Sequence, residues 1–600
     1  MENFQLSRMI HDQAKKYGNT NALYHRNRAG EEWNAIHWND FASQIDALSN
    51  AFIQLGVKEQ QRIAQFSQNK AENLIVDFAL FSIRAAMVPM YATSTAAQVE
   101  FIVNDAEIEL IFVGDQQQYN VACEVLEKSK FLKNIIVFDK DVTLKEGGFS
   151  MYFEELVSSG QNKANASEVN KRQNEATDED LYCILYTSGT TGNPKGVMMP
   201  HSCFKEAMRI HTIRLTSVTD NDRSLAFLPL SHVFERTWCY FCLYKGVSIY
   251  INQFPTEIQQ AIREVRPTLM CAVPRFWEKV YAGVNENIEK FSPFKQGLVT
   301  WAIAVGKIYN LDYLRAGKTP SLLLKLKYTI ADKLIFAKLK HTLGIENANI
   351  LPAAGAKLSD DIAVFFRSLG VPIVYGYGLT ESTATVACYE YVNFEVGAVG
   401  SIMPDLQVRI GEENEIQLKG KTIFPGYYKN QEATKAAFTT DGWFRTGDAG
   451  YLKGNNIVLT ERIKDLFKTS NGKYIAPQEI ETRLVLDKYI EQAATIGDDR
   501  NFVTAIIFPC ISELEKYAKE IQLSYRSTDE LLQNEKIKSL IAERIKIQQT
   551  GMAPYELIKK FSLIKQSFAI ETGELTNTLK IRRAVVMQKY KTLIDDMYAI

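Results

Sequence analysis

Tyr186-Thr187-Ser188-Gly189-Thr190-Thr191-Gly192-Asn193-Pro194-Lys195-Gly196 follows the apolar run Tyr182-Cys183-Ile184-Leu185-Tyr186 and precedes a stretch, Ser202 to Ile210, that can form a helix. Its glycines let the backbone turn N–H groups toward an anion, and its hydroxyls add donors. Lys195 supplies a positive charge. A loop of this make-up between a strand and a helix reads as a phosphate-binding site at the strand ends of an α/β sheet, where ligands of such sheets sit. It is not the Walker pattern G-x-x-x-x-G-K followed by Ser or Thr, because Lys195 sits between Pro194 and Gly196 and the hydroxyl that would hold Mg²⁺ is missing at that spacing. The competing reading, a plain Ser/Thr/Gly surface loop, does not account for the strand and helix on its flanks.

The chain has 600 residues, 46% of them hydrophobic and 23% charged, which is the balance of a soluble globular protein large enough for at least two domains. A formal net charge of -1 offers no global attraction to nucleic acid, so nucleic acid is not expected as a partner. Eight cysteines without a repeated spacing fit reduced thiols, and Cys239-x-x-Cys242 lies in an apolar run where both read as small buried hydrophobes rather than metal ligands. The first residues, Met1-Glu2-Asn3-Phe4-Gln5-Leu6, lack the basic and apolar regions of a secretion signal, and no stretch is long and apolar enough to span a bilayer. A cytoplasmic location is the expectation.

Strand-like runs at Arg62–Phe66, Ala86–Tyr91, Leu110–Val113, Asn134–Phe138, Tyr182–Tyr186, Ser224–Leu228, Leu269–Val273 and Val371–Tyr375 alternate with helix-like ones. This alternation predicts layered α/β sheets, largely parallel. Ser359-Asp360-Asp361 opens a helix that closes at Gly370, and Pro477 suits a first helical turn. Gln161 to Asp180 is polar and aperiodic and reads as an exposed linker. From Leu406 to Val458 short strands and turns predict a small antiparallel β unit, followed by a mixed α+β tail. Between Phe291 and Leu343 lysines mix with apolar residues and few acids; a basic amphipathic insert of this kind suits an anionic lipid surface, and a helical pair with a solvated lysine face is its plainer reading.

Further motifs stand in order along the chain: Leu228-Pro229-Leu230-Ser231-His232-Val233-Phe234-Glu235-Arg236, Gly355-Ala356-Lys357-Leu358, Tyr375-Gly376-Tyr377-Gly378-Leu379-Thr380-Glu381-Ser382, Trp443-Phe444-Arg445-Thr446-Gly447-Asp448, Thr460-Glu461-Arg462-Ile463-Lys464-Asp465, Ser470-Asn471-Gly472-Lys473 and Gly573-Glu574-Leu575-Thr576-Asn577-Thr578-Leu579-Lys580. Together with the opening loop they resemble the adenylate-forming superfamily, and within it the AMP-forming long-chain fatty acyl-CoA synthetases. The resemblance implies a large N-terminal domain over residues 1–463 and a smaller, mobile α+β domain over 464–600. It implies that Thr187, Ser188, Gly189, Thr190, Thr191, Gly192 and Lys195 cradle the phosphates of ATP. Gly355, Ala356, Tyr375, Gly376, Tyr377 and Gly378 would surround adenine, with Thr380 on the α-phosphate and Glu381 on Mg²⁺.

Asp448 would accept hydrogen bonds from both ribose hydroxyls, which suits the two oxygens of a carboxylate. Arg462 would lie near the nucleotide and Lys464 would be the pivot. Gly472 would leave room for the pantetheine arm of coenzyme A. His232 would border the acyl carboxylate, Arg236 or Trp238 would gate the fatty-acid channel, and Lys580 would bridge the carboxylate and the α-phosphate. Two residues depart from the pattern, since Lys357 and Asn577 stand where relatives usually have proline. The implied activity joins a long-chain fatty acid to coenzyme A through an acyl-adenylate, with ATP, Mg²⁺ and coenzyme A required and AMP and pyrophosphate released. Transfer of the acyl group to a carrier protein, or a medium-chain substrate, are the neighbouring alternatives; a non-catalytic nucleotide binder would have no need of Lys580. Peripheral contact with the inner membrane face and a homodimer stay open.

Overall fold

The computed structural model describes residues 5–26, 30–187, 194–463, 466–470, 473–570, 572–576 and 580–599. The strand that leads into the opening loop, Leu181–Thr187, belongs to a seven-stranded sheet running Ser150–Tyr152, Asn134–Val137, Leu110–Val113, Arg62–Phe66, Ala86–Met90, Leu181–Thr187, Lys195–Pro200. Every pairing is parallel except the last, where Lys195–Pro200 returns antiparallel against Leu181–Thr187. Alternate residues feed two cores: Leu110 and Phe112 enter one, Ile111 and Val113 the other. Burial on both faces is why these strands read as unbroken apolar runs.

A mixed eight-stranded sheet lies beyond. Leu351–Ala353 and Ile373–Tyr377 pair in parallel, and Ala387–Cys388, Ser401–Ile402, Asn456–Arg462, Phe444–Lys453, Glu415–Lys419 and Gln407–Ile410 continue it antiparallel. The expected β unit from Leu406 onward is therefore the outer end of this sheet rather than a separate body. A four-stranded sheet, Arg223–Ala226, Ser248–Ile251, Asn21–His25, Asn34–His37, completes the large part. Leu269–Val273, expected as a strand, forms only isolated bridges, to Ser224 on one side and to Ile350 and Ala353 on the other. It ties the four- and eight-stranded sheets together, and Pro274 immediately begins the helix Pro274–Glu289.

The segment 161–180 is not a linker throughout. Ala166–Glu175 is a helix whose single buried residue is Val169, held by Arg172 donating to the Val57 carbonyl at 2.8 Å and Gln173 to the Ser7 carbonyl at 2.7 Å. With one apolar anchor it shows no hydrophobic period, so local pattern misses it. The helices His201–Arg214, Asp360–Ser368 and Pro477–Leu484 form where caps and proline place them. The tail is α+β: a hairpin, Phe467–Lys468 with Tyr474–Ile475, then the three-stranded sheet Ile490–Ile496, Val503–Pro509, Ile558–Leu563 under helices.

All eight cysteines are free thiols, and among the described residues no group of His, Cys, Asp or Glu is arranged to hold a metal ion by itself. Cys239 and Cys242 are buried packing residues, as expected. Beside them Glu235 is fully buried, and its Oε2 has no hydrogen-bond partner. Burial pushes its pKa well above 4.5 and so favours the protonated form in the folded chain. The raised folded value costs stability at every pH above the unfolded pKa, and the cost disappears on acidification. Glu235→Gln is accordingly expected to raise the thermal midpoint at about pH 8 and to lose that advantage near pH 4. Calorimetry across that range would check it; an advantage independent of pH would contradict the assignment.

Candidate active site

The hairpin around the opening loop pairs Thr187 with Lys195, and Thr187 Oγ1 donates to the Lys195 carbonyl at 3.4 Å. Ser188, Gly189, Thr190, Thr191 and Gly192 lie outside the described residues, as do Lys464 and Gly472. Lys195 Nζ stands 5.2 Å from the centre of the Tyr427 ring. The Tyr427 hydroxyl donates to Glu381 Oε1 at 2.9 Å. Tyr427 thus joins the two groups that sequence reasoning assigned to phosphate and metal.

Its own segment is stitched to both sides of the cleft. Met198 N–H donates to the Gly426 carbonyl at 3.2 Å, Tyr428 N–H to the Gly196 carbonyl at 2.7 Å, Phe424 N–H to the Glu381 carbonyl at 2.8 Å and Thr383 Oγ1 to the Thr422 carbonyl at 2.8 Å. Sequence reasoning missed Tyr427. The only local signal was the turn-forming Pro425-Gly426 before two tyrosines.

The strand Ile373–Tyr377 delivers Tyr375, Gly376 and Tyr377 to the same cleft, and the short turn Thr380–Ser382 follows with Thr380 and Glu381 half-buried. Gly378 makes the turn feasible, because a Cβ there would lie 1.3 Å from the Ala384 carbonyl oxygen. The Tyr375 hydroxyl accepts from Leu358 N–H at 3.1 Å and donates to the Ala356 carbonyl at 3.2 Å, fixing the Gly355–Leu358 loop. Gly355 has φ +94°, a backbone conformation suited to glycine. Lys357, where proline was the usual residue, reaches across to Glu479 of the C-terminal part at 3.6 Å.

Asp448 connects three elements. Its Oδ2 accepts from the Tyr377 hydroxyl at 2.7 Å, its Oδ1 lies 3.3 Å from Arg462 Nε, and it faces Arg462 in register on neighbouring strands.

On the opposite side, His232 caps the helix Val233–Lys245, its Nδ1 accepting from Phe234 N–H at 3.2 Å. That bond places the ring proton on Nε2. Burial first and the nearby positive charge of Lys580 second lower the His232 pKa to about 4, so the imidazole is neutral at physiological pH. The charge of the C-terminal lysine is thus felt at His232. Lys580 is exposed, and its own loop is braced by Thr576, whose Oγ1 accepts from Lys580 N–H at 3.1 Å.

Arg236 and Trp238 are placed differently from a gate. The Arg236 guanidinium pairs with Asp77, donates to the Leu230 carbonyl at 2.6 Å and to Gln65 Oε1 at 3.3 Å, and both members of the ion pair are buried. Trp238 is buried with Nε1 donating to Ser224 Oγ at 3.1 Å. A side chain held by so many partners cannot swing at low cost. Instead Arg236 holds the Leu228–His232 turn, assisted by Asn69, whose side chain donates to the Leu228 carbonyl and accepts from Leu230 N–H, each at 2.8 Å.

A large mixed α/β part followed by a smaller α+β part, with the motif residues gathered at the strand ends of the large part, defines an enzyme of the adenylate-forming architecture. The adenylation domain of a carboxylic acid reductase from Segniliparus rugosus, in complex with AMP and a co-purified carboxylic acid, superimposes with TM-score 0.76 at 20% identity, covering 100% of this chain and 94% of that one. An anthranilate CoA ligase in complex with anthranoyl-AMP gives TM-score 0.73 at 16% identity, covering 99% and 98%. The family described as AMP-binding enzyme matches residues 10–428, and the AMP-binding enzyme C-terminal domain matches 464–600. The chain belongs to the AMP-binding enzyme family. Curated relatives include the long-chain-fatty-acid–CoA ligase FadD15 of Mycobacterium tuberculosis, 29% identical over 94% of this chain and 92% of its own length. The long-chain-fatty-acid–CoA ligase 1 of Homo sapiens is 29% identical over 95% and 82%.

Two substitutions test this geometry. Gly378→Ala forces a collision with backbone and is expected to abolish nucleotide binding by calorimetry while leaving the separately folded C-terminal sheet intact in hydrogen exchange. Tyr427→Phe keeps the ring beside Lys195 and removes only the donor to Glu381. It is expected to weaken ATP–Mg²⁺ binding by about 1–2 kcal/mol, and an unchanged Mg²⁺ dependence would remove Tyr427 from the site.

Proposed function

We propose that this chain ligates a long-chain fatty acid to coenzyme A in an ATP-dependent reaction through an acyl-adenylate. The observation that carries the reading is the geometry of the motif residues, with Tyr427 standing between Lys195 and Glu381 and the Tyr377 hydroxyl bonded to Asp448; the charge of Lys580 felt at His232 adds to it. Similarity over nearly the whole length to long-chain-fatty-acid–CoA ligases supports the same substrate class.

In the first half-reaction a fatty carboxylate oxygen attacks the α-phosphorus of ATP, the bond to pyrophosphate breaks and acyl-AMP forms. Two anions must approach, and Lys580 placed between them offsets a repulsion that peaks as the pentavalent phosphorus forms. Lys195 takes the phosphates leaving as pyrophosphate. Neutral His232, with its proton on Nε2, can donate a hydrogen bond to the acyl carboxylate without competing with Lys580 for it.

Asp448 receives the ribose diol, the two oxygens of its carboxylate matching two vicinal hydroxyls. Tyr377 and the Gly355–Leu358 loop enclose adenine. In the second half-reaction the thiol of coenzyme A attacks the acyl carbon, AMP leaves with the electron pair and the thioester forms. A domain boundary at 463/464 with Lys464 as pivot and Gly472 at the thiol's path completes the proposal.

Mg²⁺ fits a site of this make-up. Glu381 offers a hard carboxylate oxygen beside Lys195, and a metal that takes its other ligands from phosphates and water needs no protein cluster. Bound there, it would neutralise phosphate charge, and Glu381, steadied by Tyr427, is the residue that would hold it.

Measuring AMP and pyrophosphate across acids from acetate to oleate, with and without coenzyme A, tests the assignment. AMP release that depends on both a long-chain acid and coenzyme A is expected, and preference for a carrier protein over coenzyme A would overturn it. Lys580→Ala is expected to slow acyl-adenylate formation by about 10²-fold or more while sparing thioester formation from supplied acyl-adenylate. Equal loss in both half-reactions would contradict the role given to Lys580.

A further inference from the structure

The segment 291–343 folds as a helical pair, and its inner and outer faces differ sharply. The run 322–343 begins at Ser321, whose hydroxyl caps Leu324 N–H at 3.3 Å, and continues through a wide π turn at Asp332–Phe336 into Ala337–Leu343. Its inner face is anchored: Ala331 and Phe336 are fully buried, and the Tyr328 ring stacks on Tyr309 at 4.0 Å and 10°. A Cβ on Gly306 of the companion helix would meet Phe336 at 3.0 Å and the Ser368 carbonyl at 2.2 Å, so the two helices and the body beneath are in close contact.

The outer face carries Leu322, Leu326, Ile330 and Leu334 at a spacing of four, with Leu323 beside them. Leu322 is 84% exposed, Leu323 63% and Leu326 58%. A rigid helix presenting such a row to water is unusual, because large exposed apolar patches mark interaction sites.

The charge around the row selects the occupant. Residues 291–343 hold nine lysines and arginines against two aspartates, in a chain whose net charge is -1. Lys325, Lys327 and Lys333 are exposed between the leucines and make no ion pair among the described residues. A second copy of the chain docking symmetrically would bring these lysines against their own kind. An anionic bilayer instead takes apolar side chains into its acyl boundary and cations at its headgroups, which is the pattern of an interfacial amphipathic helix.

We propose that the helix face Leu322–Leu334 docks this protein on an anionic lipid surface. Leu322, Leu326 and Ile330 enter the acyl boundary while Lys325, Lys327 and Lys333 lie at the phosphates. The proposal goes beyond the ligase reading and does not rest on it, since binding is measured without fatty acid, ATP or coenzyme A.

Co-sedimentation of the full chain with vesicles of phosphatidylglycerol and phosphatidylcholine, against vesicles of phosphatidylcholine alone, tests it. The expected result is partition onto the mixed vesicles, weakened by salt, and lowered about tenfold or more by Leu326→Glu with Ile330→Glu. Lys325→Gln with Lys327→Gln and Lys333→Gln, which leaves all packing in place, is expected to remove the preference for phosphatidylglycerol. ATP–pyrophosphate exchange with a long-chain acid dispersed in detergent, without vesicles, should stay at the wild-type rate in both variants. Absence of partition by the wild-type chain, partition unchanged by the lysine variant, or a dimer in solution that Leu326→Glu dissociates would each overturn the proposal.

Discussion

The hydrogen-bonded chain Tyr377–Asp448–Arg462 is the constraint on which the cleft depends. Tyr377 ends a strand of the parallel portion of the eight-stranded sheet, while Asp448 and Arg462 sit on its antiparallel portion, two residues before the segment that leads into the C-terminal part. One carboxylate therefore registers the Tyr377 strand, the antiparallel end of the sheet and the exit of the large part against each other. Bonds to an ionised acceptor are stronger than neutral ones, and removing the acid would leave a buried tyrosine hydroxyl and an arginine short of a partner.

A second buried charge serves the opposite wall. Asp77 and Arg236 face each other in the core with Tyr240 and Gln65 around them, and the guanidinium's remaining reach goes to the Leu230 carbonyl. Such a pair contributes little to stability relative to an apolar replacement, yet losing one partner is expensive. Its consequence is positional: the turn from Leu228 to His232 has one arrangement, and the imidazole at its end is held neutral with a fixed tautomer. The resemblance put Arg236 at a gate, and no local pattern reveals its pairing because the partner lies 159 residues earlier in the chain.

The same distinction between local and distant information explains what could be read in advance. Runs such as Arg62–Phe66 and Leu110–Val113 are strands because both faces are buried, which leaves a continuous apolar signature in sequence. Caps and prolines likewise announce the helices at Asp360 and Pro477. The helix Ala166–Glu175 leaves no such mark, being held by polar contacts to remote carbonyls. Tyr427 is likewise invisible, since its importance comes from lying between Lys195 and Glu381, residues brought together by three separate strands and turns. The motif residues are legible one at a time; their mutual geometry is not.

Contacts across the two parts are of another kind. Lys357 meets Glu479 at 3.6 Å, Lys488 meets Glu289 at 3.6 Å and Lys516 meets Glu286 at 3.5 Å. All of these side chains are at least a third exposed. Exposed pairs of this sort are worth about 0–1 kcal/mol each and weaken with salt. Arg275, donating to the Glu491 carbonyl at 2.7 Å, is the one short bond among these cross-part contacts. Inside the large part, by contrast, Tyr377, Asp448 and Arg236 are pinned by buried or charge-assisted bonds. The seam is thus tied by exposed ion pairs that water can replace, together with the Arg275 bond and the packing of Leu486 against the core of the large part. Lys357 belongs to both kinds of contact: its loop is held by the Tyr375 hydroxyl inside the large part, while its own ammonium reaches Glu479 across the seam.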